Sequence, residues 1–380
     1  MPETKPRSFK RLKRVLVVAA TIVILLFLVG YLYLRQDKFG QNPGGDRLAL
    51  MRKSPHFKDG HFLNLSDTPE IAEGYTMAGV MYKYFFKGSQ RKRPIDILPS
   101  VKNDLHAIPP DEDVLVWFGH SSYYIQIDGK RFLMDPVFSG NASPIPGTNT
   151  AFAGTDAYSV DDLPEIDYLI ISHDHYDHTD YETLIALQPK TKHVICGLGV
   201  GSHFEHWGYS KDVIVEKDWN ERVDLDRGFT IHTAPARHFS GRGLTTNNTL
   251  WMSFLVQTPT MKFYVGGDSG YDKHFAAIGE KFGPIDLAMI DNGQYDSSWR
   301  YVHTLPEEVL MAAKDLRTRR LFPVHSSKFA MANHAWDEPL SRITELNKSV
   351  NLPLITPIVG EIVYLRNENQ QFKQWWVGLR

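Results

Sequence analysis

Beyond residue 113 the chain reads as short apolar runs cut by Gly, Pro and Asp. Runs of this length, rich in Val, Ile and aromatic residues, predict strands. They fall at 114–118, 123–127, 131–134, 168–172, 193–196, 213–215, 229–234, 251–257, 262–265, 287–290, 320–323 and 361–365. Helical spacing appears at 181–187, 274–282, 306–316 and 338–348. Early hairpin strands followed by interspersed helices predict an α/β fold with two sheets sandwiched between helices. Residues 36–110 lack that texture. They hold turn formers (Asn42-Pro-Gly-Gly45) and one helix candidate at 72–86, interrupted by Gly74 and Gly79 and followed by Lys87 and Arg91-Lys-Arg93. No repeat of fixed period is visible.

The N-terminal pattern is different in kind. Residues 15–34 form an uncharged apolar run of 20 residues, enough to cross a bilayer core of about 30 Å as a helix. Lys5, Arg7, Lys10, Arg11, Lys13 and Arg14 precede it; Arg35 and Lys38, with Asp37 between them, follow. The excess of positive charge before the run predicts a cytoplasmic N-terminus and everything after residue 35 across the membrane, periplasmic in a Gram-negative cell. A cleaved signal peptide is the alternative. The run is longer than a signal core and ends in Tyr31-Leu-Tyr-Leu34, not a small-residue cleavage site, so an uncleaved single-pass anchor is expected. Three parts follow: a basic tail and transmembrane anchor (1–35), a linker and helical cap (36–110) and an α/β domain (111–380) that carries the candidate chemistry.

Charge and composition narrow the partners. Net charge is −2 over 380 residues, so no global field recommends nucleic acid. The single cysteine, Cys196, excludes an intrachain disulfide and any thiolate-based zinc site. It reads as a small buried hydrophobe.

The densest chemistry is Ser172-His-Asp-His-Tyr-Asp-His178, at the exit of an apolar strand. Imidazole and carboxylate are zinc donors, and His173 and His175 alternate along extended backbone so as to point the same way. Asp177 and His178 then face a second position as the chain turns. Two catalytic ions need more donors than this loop carries. Three later segments supply them in the same manner, each placing a donor after an apolar strand: His238 in Ala234-Pro-Ala-Arg-His238, Asp268 in Gly266-Gly-Asp268, and His325 in Pro323-Val-His325. Neither a Gly-x-Ser-x-Gly elbow nor a Walker loop is present.

The order of these segments, with Trp117-Phe-Gly-His-Ser-Ser122, Lys130-Arg-Phe-Leu-Met-Asp-Pro136, Gly267-Asp-Ser-Gly270 and Arg300-Tyr-Val-His303, resembles a metallo-β-lactamase-superfamily hydrolase of αββα architecture. More closely, residues 110–365 resemble the N-acylphosphatidylethanolamine-hydrolysing phospholipase D family and its bacterial relatives. The resemblance implies that His173, His175 and His238 hold one metal. Asp177, His178 and His325 would hold the other, with Asp268 bridging. It implies two zinc ions, although manganese or iron tolerate the same donors, and a hydroxide shared between them as nucleophile. Asp268, Asp177 and His303 are the expected catalytic residues, His120 and His303 the expected substrate contacts, and Asp135 an acceptor behind a metal-bound histidine. The expected substrate is a phosphodiester of a membrane lipid. Asp291-Asn-Gly-Gln294 and the Ser-Ser-Lys after His325 fit that substrate less well than the rest. Lactone hydrolysis of the ascorbate-lactone type is the second reading, and a non-catalytic metal-binding scaffold the third. His203, His206, His274 and His334 are expected at the surface, and oligomeric state is not legible.

Overall fold

The computed structural model describes residues 7–380; Lys5 of the basic tail lies outside the described residues. The first helix, α1 (Arg7–Tyr33), contains a stretch long and apolar enough to cross a membrane, Arg11–Tyr33, with none of it buried against the rest of the protein. A short helix α2 (Gly45–Met51), a two-residue-stranded hairpin β1 (Phe57–Lys58) and β2 (His61–Phe62), and α3 (Met77–Phe86) follow. The predicted helix at 72–86 starts late because Gly74 takes φ 84° and Thr76 caps the helix, accepting from the Gly79 amide at 3.2 Å.

Two sheets make the body. The first contains β3 (Val114–Trp117), β4 (Tyr123–Ile127), β5 (Lys130–Met134), β6 (Ile166–Ile170), β7 (Thr191–Gly197), β8 (Ile214–Lys217) and, at one edge, β15 (Ile362–Tyr364). The second contains β9 (Arg222–Asp224), β10 (Thr230–Ala234), β11 (Ser253–Gln257), β12 (Lys262–Val265), β13 (Leu287–Asp291) and β14 (Leu321–Val324). Hairpin pairing comes first in each sheet, and parallel pairing of β5 to β8 and of β12 to β14 comes after.

Alternation along each strand sends neighbouring side chains to opposite faces. Leu115, Trp117, Ile125, Phe132 and Met134 meet Phe254, Val256, Phe263, Val265 and Met289 between the sheets. Val114, Val116, Tyr124, Leu133 and Cys196 point outward instead, under α4 (Tyr181–Leu187) and α5 (Gly201–His206). On the other side Leu255, Tyr264, Ala288 and Ile290 pack under α6 (His274–Phe282), α7 (Pro306–Asp315) and α8 (Glu338–Asn347). Both faces of each sheet are buried, which is why the strands read as continuous apolar runs. The architecture is therefore the expected helix–sheet–sheet–helix sandwich.

Residues 36–110 are stitched onto this body. Met51 and Phe62 sit in the core between the sheets, and the Asn64 side chain bonds both the amide and the carbonyl of His238, at 3.1 and 2.7 Å. The pairings make β3, β5 and β6 run in one direction, and likewise β10, β12, β13 and β14. Loops leaving those strands carry the donors.

Candidate metal centre

Six loops converge where these strands end. Residues 118–120 leave β3, Asp135 leaves β5, 171–178 leave β6, 235–238 leave β10, 266–268 leave β12 and His325 leaves β14. Two groups of donors result. His173, His175, His238 and Asp268 bring ligand atoms within 4.8 Å of one another, and so do His120, Asp177, His178 and His325. Asp268 lies between them: Oδ2 is 3.7 Å from both His173 Nε2 and His238 Nε2, while Oδ1 is 3.2 Å from His178 Nε2 and 3.1 Å from His325 Nδ1. All seven expected ligands thus meet in one place, and His120 joins them. Asp268 can reach its position because Gly267, at φ 60°, turns with its α-carbon against Ser172, where a β-carbon would come within 2.6 Å of the serine side chain.

Several imidazoles are steered from behind. Asp135 Oδ2 lies 2.8 Å from His178 Nδ1, the Ser172 hydroxyl 2.9 Å from His173 Nδ1, and the Val302 carbonyl 2.8 Å from His238 Nδ1. Asp135 itself accepts from the Ser172 amide and hydroxyl, at 2.8 and 2.6 Å. Partners of this kind fix tautomer and ring orientation in metal sites. Three of the residues concerned, His120, Asp135 and His325, have positive φ of 55°, 40° and 68°. Such backbone costs about 1–3 kcal/mol each and persists only where surrounding bonds enforce it. Here the His325 amide donates to the His120 carbonyl and the His120 amide to the Ser326 carbonyl, at 3.0 and 2.9 Å, joining the ends of the two sheets.

The chemistry of the set fits cations. Burial alone would push the Asp177 and Asp268 carboxyls up, yet His178 and His120 hold Asp177, and His178 and His325 hold Asp268, well below the usual carboxylate range. Burial, reinforced by neighbouring imidazoles, holds His173 well below the usual histidine range, and burial also holds His238 and His325 there. His178 is the exception: burial is outweighed by Asp268, Asp177 and Asp135, which raise it well above that range. Ionised carboxylates and neutral imidazoles are the forms that ligate metal. Among the described residues His178 Nε2, Asp268 Oδ1, His325 Nε2 and His120 Nδ1 are buried without a hydrogen-bond partner. Each such atom would cost about 1–3 kcal/mol if nothing occupied it. A cluster of four beside ionised carboxylates is the signature of a cation site.

His303 sits half-buried beside this cluster, its ring 5.1 Å from those of His238 and His325, with Nδ1 2.7 Å from Asp291 Oδ2. His120 has no exposed surface: Nε2 is 2.9 Å from Asp177 Oδ2 and its ring lies tilted, 4.1 Å from that of His325. Two surface assignments are corrected. His203 is buried on α5, turned inward to Asp174, and His274 is buried at the start of α6 near Ser269. His206 is exposed, His334 half-buried, and Cys196 buried. Asp291, Arg242 and the Asp174–His203 pair had no assigned role in the sequence. Asp291 ends β13 as Asp268 follows β12, so the strand-end rule was signal enough to find it.

Known proteins resemble this chain in sequence and in fold. The family model described as a beta-lactamase superfamily domain matches residues 130–326. An uncharacterised protein of Mycobacterium tuberculosis is 34% identical over 332 residues, 86% of this chain and 89% of that protein. N-acyl-phosphatidylethanolamine-hydrolyzing phospholipase D 1 of Caenorhabditis elegans is 31% identical over 292 residues, 69% of this chain and 80% of that protein. Among solved structures, the metallo hydrolase Igni18 of Ignicoccus hospitalis superposes with a TM-score of 0.53 at 19% identity, covering 67% of this chain and 98% of that one.

Proposed function

The chain belongs to the metallo-β-lactamase superfamily of metal-dependent hydrolases, and from that membership we propose that it is a phosphodiesterase of the phospholipase D type acting on N-acylphosphatidylethanolamine-like lipids. The observation that carries the lipid reading is the distance between anchor and site. Tyr33, the last residue of α1, donates to the Pro144 carbonyl at 2.7 Å and packs edge-on at 5.6 Å against Phe39. Phe39 in turn lies 6.1 Å from Tyr176 of the metal loop. Two aromatic contacts therefore separate the membrane-length helix from the metal donors, a proximity that a small soluble lactone would not need.

His173, His175 and His238 would hold one cation and Asp177, His178 and His325 the other, with Asp268 between; zinc suits these donors. When bound, such ions acidify a water and stabilise charge developing on a phosphoryl oxygen. The chain's own residues do the rest. Asp135 fixes the His178 ring, and His120, buried against Asp177, orients that carboxylate instead of touching substrate. Burial raises the Asp291 carboxyl, and Asp291 in turn raises His303 against the opposing effect of burial, so the pair retains a proton that His303 can deliver to a leaving alkoxide. α3 presents exposed Met77, Met81, Tyr82 and Phe86, suited to a lipid surface. Its basic flank is spent on the domain instead: Arg91 pairs with Asp337 at 2.6 Å and Arg93 bonds the Ala151 carbonyl at 3.1 Å.

We place residues 1–35 as tail and anchor with the N-terminus cytoplasmic, 36–110 as a linker wrapped on the domain, and 111–380 outside the cytoplasm. External protease should reach the domain in sealed cells; protection would reverse the orientation. The activity test is incubation of zinc-loaded protein with vesicles containing N-acylphosphatidylethanolamine and, separately, with a lactone panel. Release of N-acylethanolamine and phosphatidate is expected. Lactone hydrolysis without phosphodiester cleavage would replace the lipid reading.

A further inference from the structure

The metal loop is gripped from the side opposite its ligands. The Arg242 Nη1 donates to the carbonyls of Asp174 and Thr179, at 2.8 and 2.6 Å, so one guanidinium spans the loop from its second residue to the residue after His178. Nη2 of the same group donates 2.7 Å to the carbonyl of Lys38, in the strap that leads out of α1. The Arg242 guanidinium lies 4.1 Å over the Tyr176 ring, and the Tyr176 hydroxyl donates back to the Arg242 carbonyl.

A second connection runs in parallel. Asp174, the residue between His173 and His175, accepts from the Gly241 amide at 2.7 Å, the Thr249 hydroxyl at 2.8 Å and His203 Nε2 at 3.2 Å. The other nitrogen of His203, Nδ1, accepts from the Gln41 amide of the strap at 3.1 Å. The flanks of α5 complete the seat. The Trp207 indole donates to the Asp37 carbonyl at 2.8 Å and the Ser202 hydroxyl to the Gln41 carbonyl at 2.5 Å. Arg242, His203 and Asp174 are all buried, so none of these bonds is exchanged freely for water.

We infer that Arg242 and His203 are positioning residues that lock the loop 173–179 onto the strap 37–41, so that retention of metal depends on the strap being docked. The inference rests on the reading that residues 173–178 hold metal. Two buried side chains each spend one end on the strap and the other on the loop, and the loop carries four of the seven ligands. Displacing the strap would free a guanidinium hydrogen and an imidazole nitrogen in a buried site and release the backbone that spaces His173 from His175. Partners one shell out from metal ligands commonly change metal affinity by about 10–100-fold.

The test uses full-length protein in detergent, loaded with excess zinc, and reads metal content and the rate of zinc loss to a chelator, with thermal unfolding alongside. His203→Ala and Gln41→Pro each remove one link on opposite sides of the same connection, and both should lose zinc about 10-fold faster than wild type. His203→Gln, whose amide can both accept and donate, should restore slow release. Arg242→Gln should release fastest if it folds; the other two variants keep the test decisive if it does not. Wild-type protein holding two zinc ions, with both variants folded and releasing at the wild-type rate, would overturn the lock alone. Wild-type protein that binds no zinc would overturn the metal reading and the lock with it.

Discussion

In the group formed by His173, His175 and His238, orientation comes from ordinary hydrogen bonds: a serine hydroxyl behind His173, a carbonyl behind His238, and the Asp174–His203 connection between His173 and His175. The group formed by Asp177, His178 and His325, with His120, is organised differently. His120, Asp135 and His325 sit in left-handed backbone, and the first and last pair through main-chain bonds that tie the two sheets together. One half is adjusted by side chains that take support from the strap 37–41. The other adds left-handed backbone and a main-chain bridge to its own side-chain supports, Asp135 behind His178 and the Ser121 hydroxyl 3.0 Å from His325 Nδ1. The difference teaches where the site is tunable: the first half answers to side chains held by the strap, whereas the second answers to Asp135 and His120 and keeps its main-chain bridge when either side chain is replaced.

The largest effect should come where the halves meet. Asp268→Ala removes the carboxylate facing both groups, and activity should fall about 10³-fold or more while the circular dichroism spectrum is kept. Full activity in that variant would mean that the two halves do not share a ligand.

Next comes Asp135→Asn, which tolerates positive φ but cannot accept from the Ser172 amide, the Ser172 hydroxyl and His178 together. Titration with zinc should show the ion at His178 weakened about 10–100-fold and the other, reached only through Ser172, weakened less. Equal weakening of both would erase the contrast between the halves.

His120→Asn should be milder. Asparagine accepts the left-handed backbone, so the substitution removes the ring facing Asp177 and spares the main-chain bridge. Weaker binding by about 10-fold at the second position is expected, read by the same titration.

Most of the sandwich was legible because its strands bury both faces and so appear as apolar runs bounded by Gly, Pro and Asp; β4 and β12 carry the expected bounds. The donors that meet at the candidate site were legible for a related reason, since a polar donor directly after an apolar run stands out. What escaped was everything whose meaning lies in distant partners. β9 is three residues with one buried side chain, and α2 and α5 are six or seven residues long, too short for a period to show. His203 looked like a surface histidine because neither Asp174 nor Gln41 is near it in sequence. Arg242, between two glycines, carries no local signal, because the carbonyls it bonds, of Lys38, Asp174 and Thr179, are all distant in sequence.

The smallest effect on metal lies outside both halves and supplies their acid baseline. Burial holds His274 down at about 4, against about 6.5 when unfolded. The unfolded chain therefore takes up a proton that the folded chain refuses, and stability should fall as pH drops from about 6.5 to 4, by up to about 3 kcal/mol. His274→Gln should flatten that slope in thermal unfolding and leave zinc content at neutral pH unchanged. An unaltered slope would show that His274 is not the group responsible.

The central claim is that the two halves hold two ions across one carboxylate, and the metal content of the purified full-length protein tests it most directly. After loading with excess zinc and removal of free metal, elemental analysis should give two zinc ions per chain, and Asp268→Ala protein should give fewer. One ion or none in the loaded wild-type protein would contradict the account.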